Sequence, residues 1–311
     1  MGTGWSLLRE VFPPATTFTA NDIPDMSGKV VFVTGANAGI GKETARVLLT
    51  KNAKVWIAAR DQSKGEAALK QLKERTGKDA HLLKLNLANL KSIKSAAEEF
   101  LSKETRLDVL FNNAGVFIPP KEMLTDDGYD LQFGTNVLGH FYITKLLLPL
   151  LLSTAKSSPD GTVRVVNTSS NGHWFSRLHF DTFKDGPPRK KFSNLTLYGQ
   201  SKTGNIVFSA ELTRRYGNQG LISTSLNPGG IKTEIQRHAG TVPQMLGNLL
   251  LRDVSFGALT QLYAGTSPEG AKLKGKYLVP WARLGTPRAD TQDPQLGREL
   301  WTWLDEQVQN V

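Results

Sequence analysis

The chain has 311 residues, of which 39% are hydrophobic and 21% charged, ordinary values for a globular protein long enough to bury a full core. It has no cysteine, which excludes disulfides, thiolate zinc sites, iron–sulfur clusters and cysteine nucleophiles. Its net charge of +10 suits an anionic cofactor and permits contact with nucleic acid or an anionic membrane.

The N-terminal stretch MGTGWSLLREVFPP lacks the basic head and apolar run of a secretory signal. Gly2 and Ser6 match the permissive N-myristoylation pattern; an exposed tail or a flap on the domain is the simpler reading. The longest apolar run, residues 146–152, is broken by Pro149 and falls short of the ~20 residues a membrane span needs. No integral membrane segment is expected. A cytoplasmic protein is expected, and nothing in the sequence supports peripheral membrane association.

From residue 29 short apolar runs alternate with amphipathic stretches. Strands are predicted at residues 29–35, 53–60, 81–87, 107–115, 163–170, 221–230 and 275–280. Helices are predicted at 39–50, 62–76, 90–103, 128–152 and 197–216, with a terminal helix from Asp293 that carries Trp301 and Trp303. The strand runs are rich in Val, Ile and Leu and continuous rather than alternating, the mark of strands buried on both faces. The expected fold is α/β: a single doubly wound, Rossmann-type parallel sheet of about seven strands with helices on both faces. One domain is expected, with an extension at 1–28, the core at 29–280 and a C-terminal extension at 281–311. Residues 171–196 and 231–251 interrupt the alternation. Both follow strand ends on the ligand edge and are expected to form the mouth of the substrate site.

The first strand runs into TGANAGIG, residues 34–41. Gly35, Gly39 and Gly41, with Asn37 and Ile40 between them, stand where a dinucleotide pyrophosphate meets a helix N-terminus. In such folds an acidic residue at the end of strand two receives the ribose 2′-hydroxyl. Here Ala59 occupies that position and Arg60 follows it. A guanidinium there can clamp a 2′-phosphate, so the expected cofactor is NADP(H), with Asn37 as a further donor.

TGANAGIG, then NNAG at 112–115, Ser169-Ser170, YGQSK at 198–202 and NPGG at 227–230 together resemble the short-chain dehydrogenase/reductase family. The resemblance spans residues 28–280. The long insert after Ser170 and the run GKETA at 41–45 are similar to retinol-dehydrogenase-like members. The resemblance implies that Asn113, Ala114 and Gly115 pass beside the adenosine. It also implies that Pro228, Gly229, Ile231 and Thr233 close over the nicotinamide carboxamide and pyrophosphate. Asn86, next to Leu87, departs from the family's usual Asp beside adenine; Asn keeps an acceptor and adds a donor.

Tyr198 and Lys202 are four apart on a predicted helix and so share one face. A nearby cation lowers a phenol pKa; Lys202, with the positive nicotinamide ring of the oxidised cofactor, would make Tyr198 a general acid–base near neutral pH. Lys202 is also expected to hold the ribose. Ser170 can hydrogen-bond the substrate oxygen; the resemblance makes the second serine catalytic, with Ser169 the fallback. It also makes Asn136, in TNVLGHF, the fourth catalytic member, holding a water that relays protons from Lys202. The insert's aromatic residues Trp174, Phe175, Phe180 and Phe183 form either a satellite cluster or an apolar pocket wall. The five histidines show no metal spacing and read as surface or pocket residues.

The expected activity is NADP-dependent hydride transfer between a nicotinamide and the carbonyl or alcohol carbon of an apolar small molecule. Reduction of a carbon–carbon double bond, or non-catalytic NADP sensing, are the rivals. Nucleic-acid binding is disfavoured, because the basic residues are scattered and the densest run is Arg189-Lys190-Lys191. A homo-oligomer is compatible with the sequence.

Overall fold

Val30 and Phe32 of β1 (Val30–Thr34) point into one apolar cluster, Val31 and Val33 into another. That is the period of two of a pleated strand covered on both faces. The computed structural model describes residues 10–232 and 251–311. In it, β2 (Lys54–Ala59), β3 (His81–Lys84), β4 (Val109–Asn112), β5 (Val163–Thr168), β6 (Leu221–Leu226), β7 (Tyr277–Val279) and β8 (Arg283–Gly285) join β1 in one sheet, ordered β3-β2-β1-β4-β5-β6-β7-β8. All neighbours are parallel except β7 and β8. β1 lies between β2 and β4, with Val33 opposite both Ile57 and Phe111. The winding therefore reverses at β1 and β4 and leaves a crevice beyond their carboxyl ends.

The helices are α1 (Gly39–Thr50), α2 (Gln62–Thr76), α3 (Leu90–Lys103), α4 (Leu131–Ser157), α5 (Asn194–Tyr216), α6 (Val254–Thr266) and α7 (Pro294–Gln307). Short polar side chains start several of them. Asn89 accepts from the Ser92 N–H ahead of α3, and Asp130 accepts from Gln132 and Phe133 at the start of α4. α4 passes through a single π turn at Gly134–Leu138. By length and composition α4 could cross a membrane, which the broken apolar run concealed, but 67% of its most apolar stretch is buried in the protein.

Four strands end two or more residues earlier than predicted, at residues 84, 112, 168 and 226. Beyond those points the chain turns into the loops around the crevice, whose small and apolar residues read as strand. α4 begins three residues late, because the Asp130 cap sets its start. β8 is an eighth strand that the sequence did not suggest, since three residues are too few for a period of two to show.

Candidate active site

Past the carboxyl ends of the central strands lies a cleft of ≈ 770 Å³. Gly35, Asn37, Gly39, Ile40 and Gly41 line it, facing Asn113, Ala114 and Gly115. Gly35 has φ +67°, and a Cβ there would stand 2.8 Å from the Ala114 Cβ. It therefore serves the packing of one loop on the other as well as the approach of a ligand. Thr34 Oγ1 fixes the second loop, accepting from the N–H of Asn113 at 2.9 Å and of Ala114 at 3.0 Å. α1 starts at Ala38 without a side-chain cap, so its first-turn N–H groups stay open to an anion in the cleft.

Arg60 is exposed on the cleft wall just past β2 and makes no hydrogen bond or ion pair with the described residues. Ala59 is buried. The neighbouring carboxylate, Asp61, instead caps α2, accepting from Lys64 N at 3.0 Å and the Ser63 hydroxyl at 2.8 Å. Those bonds, the Lys64 amide first, hold its pKa below the ordinary aspartate value. Asn86 and Leu87 follow β3 but do not line the cleft. Asn86 Oδ1 accepts from Ala88 N at 3.1 Å and its N–H donates to Ser92 Oγ at 3.1 Å, while Leu87 is buried in the core. Pro228, Gly229 and Ile231 form another wall. Thr233 lies outside the described residues.

α5 brings Tyr198 and Lys202 to the cleft. Burial pushes the Tyr198 phenol up to about 12, partly offset by a hydrogen bond with Ser170, and pushes the Lys202 ammonium down to about 8. The lowering expected from Lys202 together with a positively charged nicotinamide is not seen for the protein by itself. Nζ lies 5.6 Å from the ring centroid and donates to the Thr168 carbonyl at 3.1 Å, and desolvation of the phenolate outweighs its charge.

The two serines divide their work. Ser169 Oγ donates to the main-chain carbonyl of Lys202 at 2.7 Å, holding α5 to the end of β5. Ser170 Oγ accepts from Gly172 N at 3.0 Å and lies against the Tyr198 phenol. A Cβ at Gly172 would stand 2.8 Å from Tyr198 Cε1, so this glycine lets the first turn of the insert lie on the phenol. Phe117 meets Tyr198 edge-on at 4.7 Å.

Asn136 sits in the π turn, fully buried and off the cleft wall. Its Oδ1 accepts from Val116 N at 2.9 Å, and its Nδ2 donates to the Val116 carbonyl at 3.1 Å and to Ser201 Oγ at 3.0 Å. The amide thereby ties α4, α5 and the loop after β4 together. Its main-chain carbonyl faces His140 Nδ1 at 3.0 Å, and His140 Nε2 meets Thr34 Oγ1 at 2.9 Å. Burial pushes this imidazole down to about 4. His140 and His173 are therefore core residues rather than surface or pocket ones. The four-residue step from Asn136 on one helix was the signal for His140.

The insert splits between its two readings. Gly172 and Phe175 of its first turn, Asn171–Phe175, and Leu195 near its end line the cleft. With Phe117, Pro119, Met123 and Leu131 they make that wall apolar. The middle packs away from it: Phe183 stacks on Phe133 at 3.6 Å, and Arg189 Nε lies 2.9 Å from Asp130 Oδ2 with both side chains buried. Residues 233–250, the rest of the expected mouth, lie outside the described residues. Among the described residues no group of three or more His, Asp or Glu is placed to hold a metal ion.

The family model for short chain dehydrogenases matches residues 29–180. A short-chain dehydrogenase/reductase of Armillaria gallica is 52% identical over 310 residues, covering 100% of both chains. Human retinol dehydrogenase 11 is 38% identical over 284 residues, covering 89% of this chain and 84% of its own. A crystal structure of a protein from Mycobacterium Paratuberculosis superposes with a TM-score of 0.74 at 31% identity, over 94% of this chain and 98% of that one.

Proposed function

The chain belongs to the short-chain dehydrogenase/reductase family of oxidoreductases, and on that premise we propose that it is an NADP-dependent carbonyl reductase or alcohol dehydrogenase acting on an apolar small molecule. The observation that carries this reading is the meeting of Ser170, Tyr198 and Lys202 in a cleft that also holds the glycine loop and the exposed Arg60.

The cleft fits a dinucleotide. The uncapped start of α1 suits the pyrophosphate, and Arg60, whose neighbour Asp61 turns its oxygens to the α2 cap, suits the 2′-phosphate. Residues 113–115 and 228–231 would enclose the rest, and the Lys202 ammonium would reach the ribose. When bound, the nicotinamide supplies the hydride for the carbonyl carbon, or takes it from the alcohol.

The protein's own part is proton transfer. Ser170 Oγ hydrogen-bonds the substrate oxygen and steadies charge growing there. Tyr198, neutral at working pH because it is buried, donates its proton to that oxygen and is left as phenolate. Lys202, still charged at neutral pH, stabilises the phenolate. Asn136 holds this geometry through its bonds to Val116 and Ser201. The apolar wall of Phe117, Met123, Phe175 and Leu195 receives the substrate's body and excludes solvent.

The test is oxidation of NADPH and of NADH followed across retinoid, steroid, aliphatic and aromatic carbonyls. Turnover of at least one apolar carbonyl with NADPH is expected. Turnover confined to carbon–carbon double bonds, or none with any substrate, would overturn the reading.

A further inference from the structure

Glu10 stands in the segment ahead of β1, 2% exposed, and takes hydrogen bonds from three distant parts of the chain. Trp174 Nε1, in the first turn of the insert, donates to Oε1 at 3.2 Å. Asn227 Nδ2, just past β6, donates to Oε2 at 2.9 Å, and the Tyr277 hydroxyl on β7 donates to the same oxygen at 3.1 Å. Burying a carboxylate is costly unless its lone pairs are met, and here they are. An apolar side chain could hold the N-terminal segment down without that cost. A carboxylate does something more: it fixes the direction of each donor.

Two of the donors lead straight to the cleft. Trp174 lies two residues past Gly172, which packs on Tyr198. Asn227 turns its Oδ1 to accept from Gly229 N at 3.0 Å, setting the loop that forms another wall of the cleft. The third, Tyr277, anchors the pair to the sheet beside β6.

We propose that Glu10 is a positioning residue, holding the insert turn and the Pro228-Gly229 loop at the spacing that cofactor binding requires. The N-terminal segment is then part of the framework of the site rather than a tail. This inference rests on the cleft being a nicotinamide-cofactor site.

The experiment measures the Kd of NADPH by fluorescence quenching for the full-length wild type, Glu10→Gln, Glu10→Ala, Trp174→Phe and the Glu10→Ala/Trp174→Phe double variant, with urea unfolding of each. Glu10→Ala is expected to weaken NADPH binding fivefold or more. Glu10→Gln, which keeps the shape and one acceptor, is expected to fall between Glu10→Ala and wild type. The double variant is expected to lose less than the product of the two single losses, because both substitutions break the same contact. A Glu10→Ala protein that unfolds more easily yet binds NADPH like wild type would overturn the proposal. If Glu10→Ala does not fold, a Glu10→Gln protein with wild-type Kd does the same. Wild-type protein that binds neither NADPH nor NADH would overturn the functional reading and this proposal with it, whereas normal wild-type binding shared by the Glu10 variants would overturn this proposal alone.

Discussion

The ammonium of Lys202 lies over the ring of Tyr198, 5.6 Å from its centroid, and gives its hydrogen bond to the Thr168 carbonyl. The two groups are held in complementary forms near neutral pH, the phenol protonated with a pKa of about 12 and the amine charged with a pKa of about 8. That is the pairing a carbonyl reduction needs, since a proton must leave the phenol and a cation must face what remains.

A pH profile follows from these values. Lys202 is charged below about 8 and loses its charge as pH rises through it. In the reductive direction kcat/KM is expected to stay level from about pH 6 to 7.5, then fall by up to ~10-fold per pH unit. A profile level to pH 9.5 would remove the Lys202 charge from the reaction.

Tyr198→Phe removes the transferable proton and keeps the ring that packs on Phe117 and Gly172. Turnover is expected to drop ~100-fold or more, with the Kd of NADPH within threefold of wild type. Turnover within threefold of wild type would exclude Tyr198 as the acid.

Arg60 is proposed to set cofactor choice, as the exposed cation past β2 with Asp61 turned to the α2 cap. NADP is expected to be preferred over NAD by more than ~10-fold in kcat/KM, about 1.4 kcal/mol. Arg60→Ala should weaken NADP use and leave NAD use nearly unchanged. Equal loss with both cofactors would refute the assignment, as would a wild-type preference for NAD.

The insert is pinned by Arg189, whose guanidinium reaches Asp130 at 2.9 Å and also donates to the Lys121 carbonyl at 2.5 Å. Removing one partner strands a buried charge, a loss of ~3–5 kcal/mol. Urea unfolding should show this for Arg189→Met, and Asp130→Asn added to it should restore most of the stability. A double variant as unstable as the single one would show that packing, not the ion pair, holds the insert.

Acid should weaken the fold through His140 and His173, each buried with a pKa pushed down to about 4. Their folded pKa lies below the unfolded value near 6.5, so the unfolded chain binds more protons between those values and stability falls as pH drops through that window. The ceiling is on the order of 3 kcal/mol per histidine. Unfolding free energies at pH 7 and pH 5 test it, with His140→Asn expected to flatten the dependence.

Sequence alone determined the doubly wound sheet, because strands buried on both faces write themselves as continuous apolar runs. It also placed the glycine loop after the first strand and set Tyr198 and Lys202 on one helix face, since these are matters of local spacing. Tertiary structure decided the rest. Ser169 and Ser170 are neighbours in sequence, yet only the fold turns one hydroxyl to the Lys202 carbonyl and the other to Tyr198. Spacing put Lys202 on the face of Tyr198, but the charge a buried group carries depends on what surrounds it, and packing around α5 raises the phenol pKa in the protein by itself. Glu10 stood unnoticed because its partners are Trp174, Asn227 and Tyr277. No periodicity links residues so far apart along the chain; only the folding of the sheet brings them within a hydrogen bond of one carboxylate.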